Sequence, residues 1–153
     1  IGVADVNAIA SLAIPLVVTI INYILVLIYG FVYFGLFGEP SVDTDMGITI
    51  DSNFIEILIL FSIVAVLAPF TEELMFRGYI LDSIQRMHGD KIAILISSIL
   101  FGLIHIFVGP YVVGSAFLGG IIYGWVRVKT DSLLPCIAAH MMWNAMALIV
   151  TYL

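Results

Sequence analysis

Charged residues are so scarce in this chain that they cannot cover the surface of a water-soluble domain. They make up 10% of the 153 residues, against 63% apolar residues, whereas soluble domains carry about 25% charged residues. Five Lys and Arg residues are too few for the basic stripe of a nucleic-acid-binding protein. The single cysteine, Cys136, excludes a disulfide-rich secreted scaffold. We therefore expect an integral membrane protein that is surrounded by the lipid bilayer and has no nucleic-acid partner.

Five long apolar stretches predict helices that cross a bilayer. They lie at about 8–37, 54–87, 91–108, 111–128 and 135–153. The second stretch passes Pro69 and continues as an amphipathic segment, so a kinked or extended helix is expected there. The predicted fold class is an all-α, polytopic membrane helix bundle with about five transmembrane helices.

The chain divides at the polar loop after the first stretch. Residues 1–53 are expected to form an N-terminal transmembrane helix and an acidic extracytoplasmic loop, and residues 54–153 a helix bundle that carries the candidate site. The first stretch is interpreted as a retained helix, since no cleavage site in a polar setting follows it. Because the chain begins at Ile1, we also expect that an N-terminal portion is missing.

Four of the five basic residues flank two turns that alternating crossings place on one side of the membrane. These residues are Arg86, Lys91, Arg127 and Lys129. Cytoplasmic loops prefer Lys and Arg. The predicted topology therefore has the N-terminus inside and the C-terminus outside.

Six polar residues lie within or beside the predicted spans, where burial in lipid raises their free energy. They are Glu72, Glu73, Arg77, His105, His140 and Asn144. A charged side chain at the centre of a spanning helix costs about 2.5–3.5 kcal/mol on insertion scales. Such residues are either interhelical contacts that hold a bundle together or parts of a functional site, and the residues alone leave both interpretations open.

The two adjacent glutamates are expected to have different roles. Glu73 precedes Arg77 by four residues, which is the favourable order for an ion pair on a helix. Glu72 points about 100° away from Glu73 and has no counter-charge on its own helix. We therefore expect chemistry at Glu72, with Glu73 and Arg77 as structural support.

Three further polar residues are expected to approach Glu72 from other helices. With the turn placed at Gly89, Glu72 lies 17 residues before it and His105 lies 16 residues after it. At about 1.5 Å per residue, both reach the same level on antiparallel helices. Asn144 lies one turn beyond His140 on the same helix face. The four side chains are predicted to share one cavity that is open to the cytoplasmic side.

Three short motifs, in this order, resemble a known family. Residues 72–77 match E-E-x-x-x-R, residues 101–105 match F-x-x-x-H, and residues 140–144 match H-x-x-x-N. Together they resemble the CPBP family of CAAX proteases and bacteriocin-processing enzymes, also called the Abi family, over about residues 54–153. The resemblance implies an intramembrane endopeptidase that cleaves a membrane-associated peptide or a lipidated protein.

The resemblance also implies a role for each candidate residue. Glu72 would activate a water with help from His105, and His140 and Asn144 would stabilise the tetrahedral oxyanion. The Glu-Arg pair would hold the helix. A CAAX-type prenylated substrate and a bacteriocin leader are both compatible with the motifs, and the oligomeric state is not indicated.

Two alternatives accompany this interpretation. No cofactor or metal ligand is expected, but two histidines and a glutamate could in principle bind zinc, and the family was long described as metal-dependent. The other alternative is a non-catalytic membrane protein, such as an immunity or scaffolding factor, that keeps the polar cluster for packing.

Overall fold

The computed structural model describes residues 8–40 and 54–152, so most of the predicted acidic loop lies outside the described residues. The described chain forms five helical rods joined by short turns, and no strand occurs within these two ranges. The rods are α1 (Ala8–Phe37), α2 (Phe54–His88), α3 (Asp90–Leu103), α4 (Pro110–Thr130) and α5 (Leu134–Tyr152). The all-α prediction is confirmed.

Three of these helices are long and apolar enough to cross a membrane, by length and composition. They comprise Ala13–Phe37 of α1, the whole of α2, and α4, while Leu134–Val150 of α5 is a shorter apolar helix. Large apolar side chains cover the outside of the molecule, and Phe107 is 93% exposed. A soluble monomer rarely exposes so much continuous apolar surface, so the described surface is suited to lipid.

The third predicted span is shorter than its apolar stretch. Helix α3 ends at Leu103, and residues 104–108 form tight turns in which the His105 amide donates to the Gly102 carbonyl. Gly109 follows with φ +131°, a conformation that side-chain-bearing residues rarely adopt, and it separates the two helices. The prediction that His105 lies on a continuous spanning helix is wrong, because the chain already turns before the glycine.

Helix α2 extends over 35 residues, as the sequence predicts, and it contains two π-helical segments. The segments Ser62–Leu67 and Leu74–Ile80 flank an α-helical turn that contains Pro69. The Ala68 amide donates to the Ile63 carbonyl, five residues back, which is the π register. The helix thus continues past Pro69, because the backbone hydrogen bonds change from the α to the π pattern just before it.

Small residues on α4 allow α3 to pack closely against it, as the Ala116, Gly120, Gly124 spacing predicts. A Cβ added at Gly120 would lie 2.9 Å from the Cβ of Ser98, and one added at Gly124 would lie 3.3 Å from Ile94. Both glycines therefore set the distance between the two backbones.

Helix α1 packs on α4 and α5 through one face. The buried residues Val18, Thr19, Asn22 and Val26 lie on this face. The Thr19 hydroxyl contacts the carbonyl of Ala139 on α5 at 3.3 Å. The α1 face therefore brings two polar side chains into an otherwise apolar contact.

A charged network ties the end of α2 to the turn between α4 and α5. Arg127 donates to Asp131 at 2.8 Å and to both carboxylate oxygens of Asp82 at 3.1 Å. The hydrogen bond from Arg127, together with its charge, lowers the pKa of the exposed Asp131 carboxyl. This network therefore orders the chain at one end of the bundle.

Gly120→Ala is expected to destabilise the bundle by about 1–3 kcal/mol, because the added methyl group would overlap Ser98 and force α3 and α4 apart. The measurement is the unfolding free energy of the purified protein in detergent. Gly35→Ala is the matched control, since a Cβ at Gly35 meets no atom within 4 Å, and it should cause no loss. Equal stability of the two variants would contradict the close-packing role.

Candidate active site

A fully buried ion pair lies at the centre of the bundle. Arg77 Nη1 donates to Glu73 Oε1 at 3.1 Å, and both side chains are 0% exposed. The pair that the sequence spacing predicts is thus present. Arg77 Nη2 also donates to the Gly120 carbonyl of α4 at 3.2 Å. Within the described residues, Glu73 Oε2 and Arg77 Nε have no hydrogen-bond partner, so the pair is held at one oxygen only.

His140 on α5 contacts both glutamates. Its Nδ1 lies 3.0 Å from Glu73 Oε1, and its Nε2 lies 3.7 Å from Glu72 Oε2. Because a carboxylate only accepts, Nδ1 carries the hydrogen in the first contact. The second distance is too long for a direct hydrogen bond. Sequence reasoning paired Glu73 with Arg77 alone and did not find this contact.

Burial separates the two glutamates. The Glu72 side chain is 23% exposed, whereas that of Glu73 is fully buried. The Glu72 carboxylate therefore lies at the open edge of the cluster, and Glu73 lies in its interior.

Aromatic rings enclose the buried charges. The Arg77 guanidinium carbon lies 4.4 Å from the centre of the Phe101 ring, in a cation–π contact. His140 meets the Phe101 ring edge-on at 5.5 Å and stacks on Tyr123 at 5.2 Å with an interplanar angle of 24°. Sequence reasoning missed Tyr123. Its position between Gly120 and Gly124 places it on the tightly packed part of α4, and this was the one sequence feature that could have indicated its burial.

His105 approaches the cluster from the turn after α3. Its Nδ1 lies 2.9 Å from the Phe101 carbonyl. A carbonyl oxygen only accepts, so Nδ1 carries the hydrogen and the neutral ring keeps Nε2 as an acceptor. The ring lies 5.1 Å from that of Phe101, so Phe101 contacts both histidine rings. This tautomer is the one that a base or a water-binding group requires.

Asn144 donates to a backbone carbonyl of α2 instead of contacting the charged cluster. Its Nδ2 lies 2.9 Å from the Val64 carbonyl oxygen. In the π register, that oxygen would accept from the amide of Pro69, which has no N–H group. The sequence predicts that Pro69 leaves the Ala65 carbonyl without its helical partner. In the structure, the Asn144 amide instead donates to the carbonyl of Val64, because the backbone hydrogen bonds of α2 are in the π register at this point.

The six predicted site residues fall into three groups. Glu72, Glu73, Arg77 and His140 form one cluster of charged and polar contacts. His105 contacts Phe101, whose ring also meets His140. Asn144 contacts the α2 backbone from one turn further along α5.

The donor set does not fit a zinc centre. Zinc sites in proteins take three or four His, Cys, Asp or Glu ligands around one point. Among the described residues, no group of three such side chains is placed to hold a metal ion.

The fold and this cluster define an integral membrane protein whose helices enclose paired acids, a guanidinium and two imidazoles. The family model "Type II CAAX prenyl endopeptidase Rce1-like" matches residues 54–146, which is more than half of the chain. The chain belongs to the Rce1-like family of CAAX prenyl endopeptidases, within the CPBP family that the motifs resemble.

A curated relative adds sequence similarity without a described activity. The UPF0177 protein YxdF of Lactococcus lactis subsp. lactis (strain IL1403) is 35% identical over 100 residues, which cover 65% of this chain and 54% of that protein. The chain thus spans about half the length of this relative. No solved structure matches the chain significantly.

Asn144→Ala is expected to cost about 1–3 kcal/mol of stability in the presence of Pro69, because it leaves the Val64 carbonyl without a donor. Adding Pro69→Ala supplies a backbone N–H that can bond to this region, so the double variant should recover much of the loss. The measurement is a double-mutant cycle of unfolding free energies in detergent.

Ser62→Ala is the control, because the Ser62 hydroxyl bonds to a carbonyl on the exposed side of the same segment. It should change stability little. Strictly additive effects of the Asn144 and Pro69 substitutions would contradict the shared use of one carbonyl.

Proposed function

We propose that the chain is a glutamate-type intramembrane endopeptidase that hydrolyses a peptide bond in a membrane-associated peptide or lipidated protein. Membership of the Rce1-like family supports protease activity of the CAAX type. The observation that carries the finer proposal is the placement of Glu72. It is a partly exposed carboxylate that faces His140 Nε2 at 3.7 Å, above a fully buried ion pair.

The proposed resting state of the cluster is electrically neutral. When His140 carries hydrogens on both nitrogens, it and Arg77 balance the two ionised glutamates. Neutrality of the whole group reduces the cost of placing it inside a helix bundle. The second hydrogen of His140 then points from Nε2 towards Glu72. In this state Glu72 is ionised and ready to accept a proton.

In the first step, Glu72 removes a proton from a water as the water oxygen attacks the carbonyl carbon of the substrate. The electron pair of the carbonyl double bond moves to its oxygen and gives a tetrahedral oxyanion. His105 assists at Nε2, the nitrogen left available by its bond to Phe101, by accepting a hydrogen bond from the other O–H of the water, which stays on the oxygen. A positioned general base contributes about 10²–10⁴-fold in rate.

The oxyanion is stabilised by donors on α5. His140 offers its Nε2–H, and Asn144 offers the second hydrogen of its amide nitrogen, since one hydrogen is used by the Val64 carbonyl. Each such donor contributes about 10²–10³-fold. The intermediate collapses when the carbonyl re-forms and the C–N bond breaks. Glu72 then gives its proton to the departing amine, which restores the carboxylate.

We propose that the substrate reaches the cluster from the cytoplasmic side. Four basic residues flank the two turns at one end of the bundle, at positions 86, 91, 127 and 129, and cytoplasmic loops carry such an excess. The topology that follows has the N-terminus inside and the C-terminus outside.

Glu72→Gln is expected to lower peptide cleavage by at least about 100-fold, because the amide cannot accept the proton of the water. The measurement compares new peptide termini, by mass spectrometry, in membranes that contain either the wild-type chain or the variant. Glu56→Gln is the matched control, since it removes a charge from the exposed beginning of the same helix. It should give the wild-type set of products.

Full cleavage by a folded Glu72→Gln variant would refute the glutamate mechanism. The non-catalytic alternative predicts that Glu72→Gln keeps the biological function, while Glu73→Ala unfolds the bundle by leaving Arg77 buried without its partner, at a cost of about 3–5 kcal/mol. Measuring cleavage and stability on the same preparations distinguishes the two functions.

Cleavage is expected to persist after treatment with a metal chelator, because the proposed proton transfers use only side chains of the chain. The measurement is turnover of the purified protein before and after chelation, together with metal analysis. Stoichiometric zinc with loss of turnover on chelation, restored by added zinc, would favour the zinc-dependent version.

A further inference from the structure

We propose that Asn22 on α1 is a positioning residue for His140 and acts through the ring of Tyr123. The inference rests on the proposed function, in which His140 donates to the oxyanion. It extends the supporting structure of the site to a helix that precedes the family match at residues 54–146.

Asn22 is a buried amide on an apolar helix. It is 2% exposed, and its Nδ2 lies 3.3 Å from the Tyr123 hydroxyl oxygen. Its Oδ1 is buried and has no hydrogen-bond partner within the described residues. Burial of a polar group with one unsatisfied atom costs about 1–3 kcal/mol. An apolar residue would pack at this position without this cost, as Val18 and Val26 do on the same face of α1.

Tyr123 transmits the contact to the site. Its ring is 2% exposed and stacks on the His140 ring at 5.2 Å. One end of the tyrosine is therefore held by α1, while its face defines the plane of the imidazole. The direction of His140 Nε2 towards Glu72 depends on that plane, because Nδ1 is already bound to Glu73.

A second contact from α1 reaches the same part of α5. The Thr19 hydroxyl lies 3.3 Å from the carbonyl of Ala139, the residue before His140. Thr19 and Asn22 lie three residues apart on the buried face of α1. Helix α1 thus contacts the backbone beside His140 and, through Tyr123, its ring.

The test compares Asn22→Leu, Tyr123→Phe and the double variant in the full chain. Tyr123→Phe keeps the stacked ring and removes only the hydroxyl that Asn22 contacts. Each single variant should lower kcat by about 10-fold with KM unchanged, since a small misplacement of a catalytic group slows the chemical step. The double variant should be no slower than either single variant. The substrate is a peptide that spans a cleavage site identified with the wild-type chain.

A measurement that does not use activity accompanies the kinetics. The chain has three histidines, so the imidazole signal of His140 can be assigned by substitution of the other two. In Asn22→Leu, that NMR signal should broaden or shift because the ring loses its fixed plane. Val26→Ala, which removes packing from the same face of α1, is the matched control and should leave the signal and kcat unchanged.

An unchanged His140 signal and an unchanged kcat in Asn22→Leu would overturn the inference. An equal effect of Val26→Ala would also overturn it, because α1 would then act through packing alone. Additive kinetic effects of the two single variants would contradict the path through Tyr123. If the wild-type chain shows no cleavage that depends on Glu72, the proposed function fails, and the NMR comparison still decides whether Asn22 orients His140.

Discussion

The arrangement of this bundle depends on the buried pair of Glu73 and Arg77. Both side chains are fully buried, and an unpaired charge in such a place costs several kcal/mol. Each partner has a further hydrogen bond to a different helix, Arg77 to the Gly120 carbonyl on α4 and Glu73 to His140 on α5. Three helices therefore meet at one charge pair. The pair is thus a point at which hydrogen bonds link the three helices.

At the site, Arg77 and Asn144 each donate to a backbone carbonyl of another helix. Polar groups in a membrane bundle find no water in the lipid and must be satisfied within the protein. The Val64 carbonyl is available because Pro69 lacks an amide hydrogen. A feature that weakens a helix in isolation thus provides an acceptor for Asn144.

Local periodicity accounts for what could be predicted from the sequence. The helical class follows from the apolar stretches, the Glu73–Arg77 pair from its four-residue spacing, and the close packing of α3 from the glycine spacing on α4. Each depends on residues within a few turns of one helix. The remaining features depend on register between helices. Neither the His140–Glu73 contact nor the stacking on Tyr123 has a spacing that identifies it, since α5 meets α2 and α4 only in the folded chain.

Two features of local structure differ from the sequence prediction because an apolar pattern does not record them. The turn at His105 precedes the glycine that breaks the chain, and the π register of α2 moves the available carbonyl by one residue. Neither is visible in an apolar pattern, because the hydropathy of the stretch continues through both.

The division of roles between Glu72 and Glu73 follows from their surroundings, since the two side chains are identical and adjacent. Glu73 accepts hydrogen bonds from Arg77 and His140 and is closed to solvent, so its charge is committed to structure. The Glu72 side chain is 23% exposed, and its Oε2 lies 3.7 Å from His140 Nε2, a distance that is longer than a hydrogen bond. Glu73 holds the His140 imidazole at Nδ1, and this contact directs Nε2 towards Glu72. Because Glu73 accepts both hydrogen bonds at one oxygen, Glu72 is left at the exposed edge of the cluster with only the longer contact to His140.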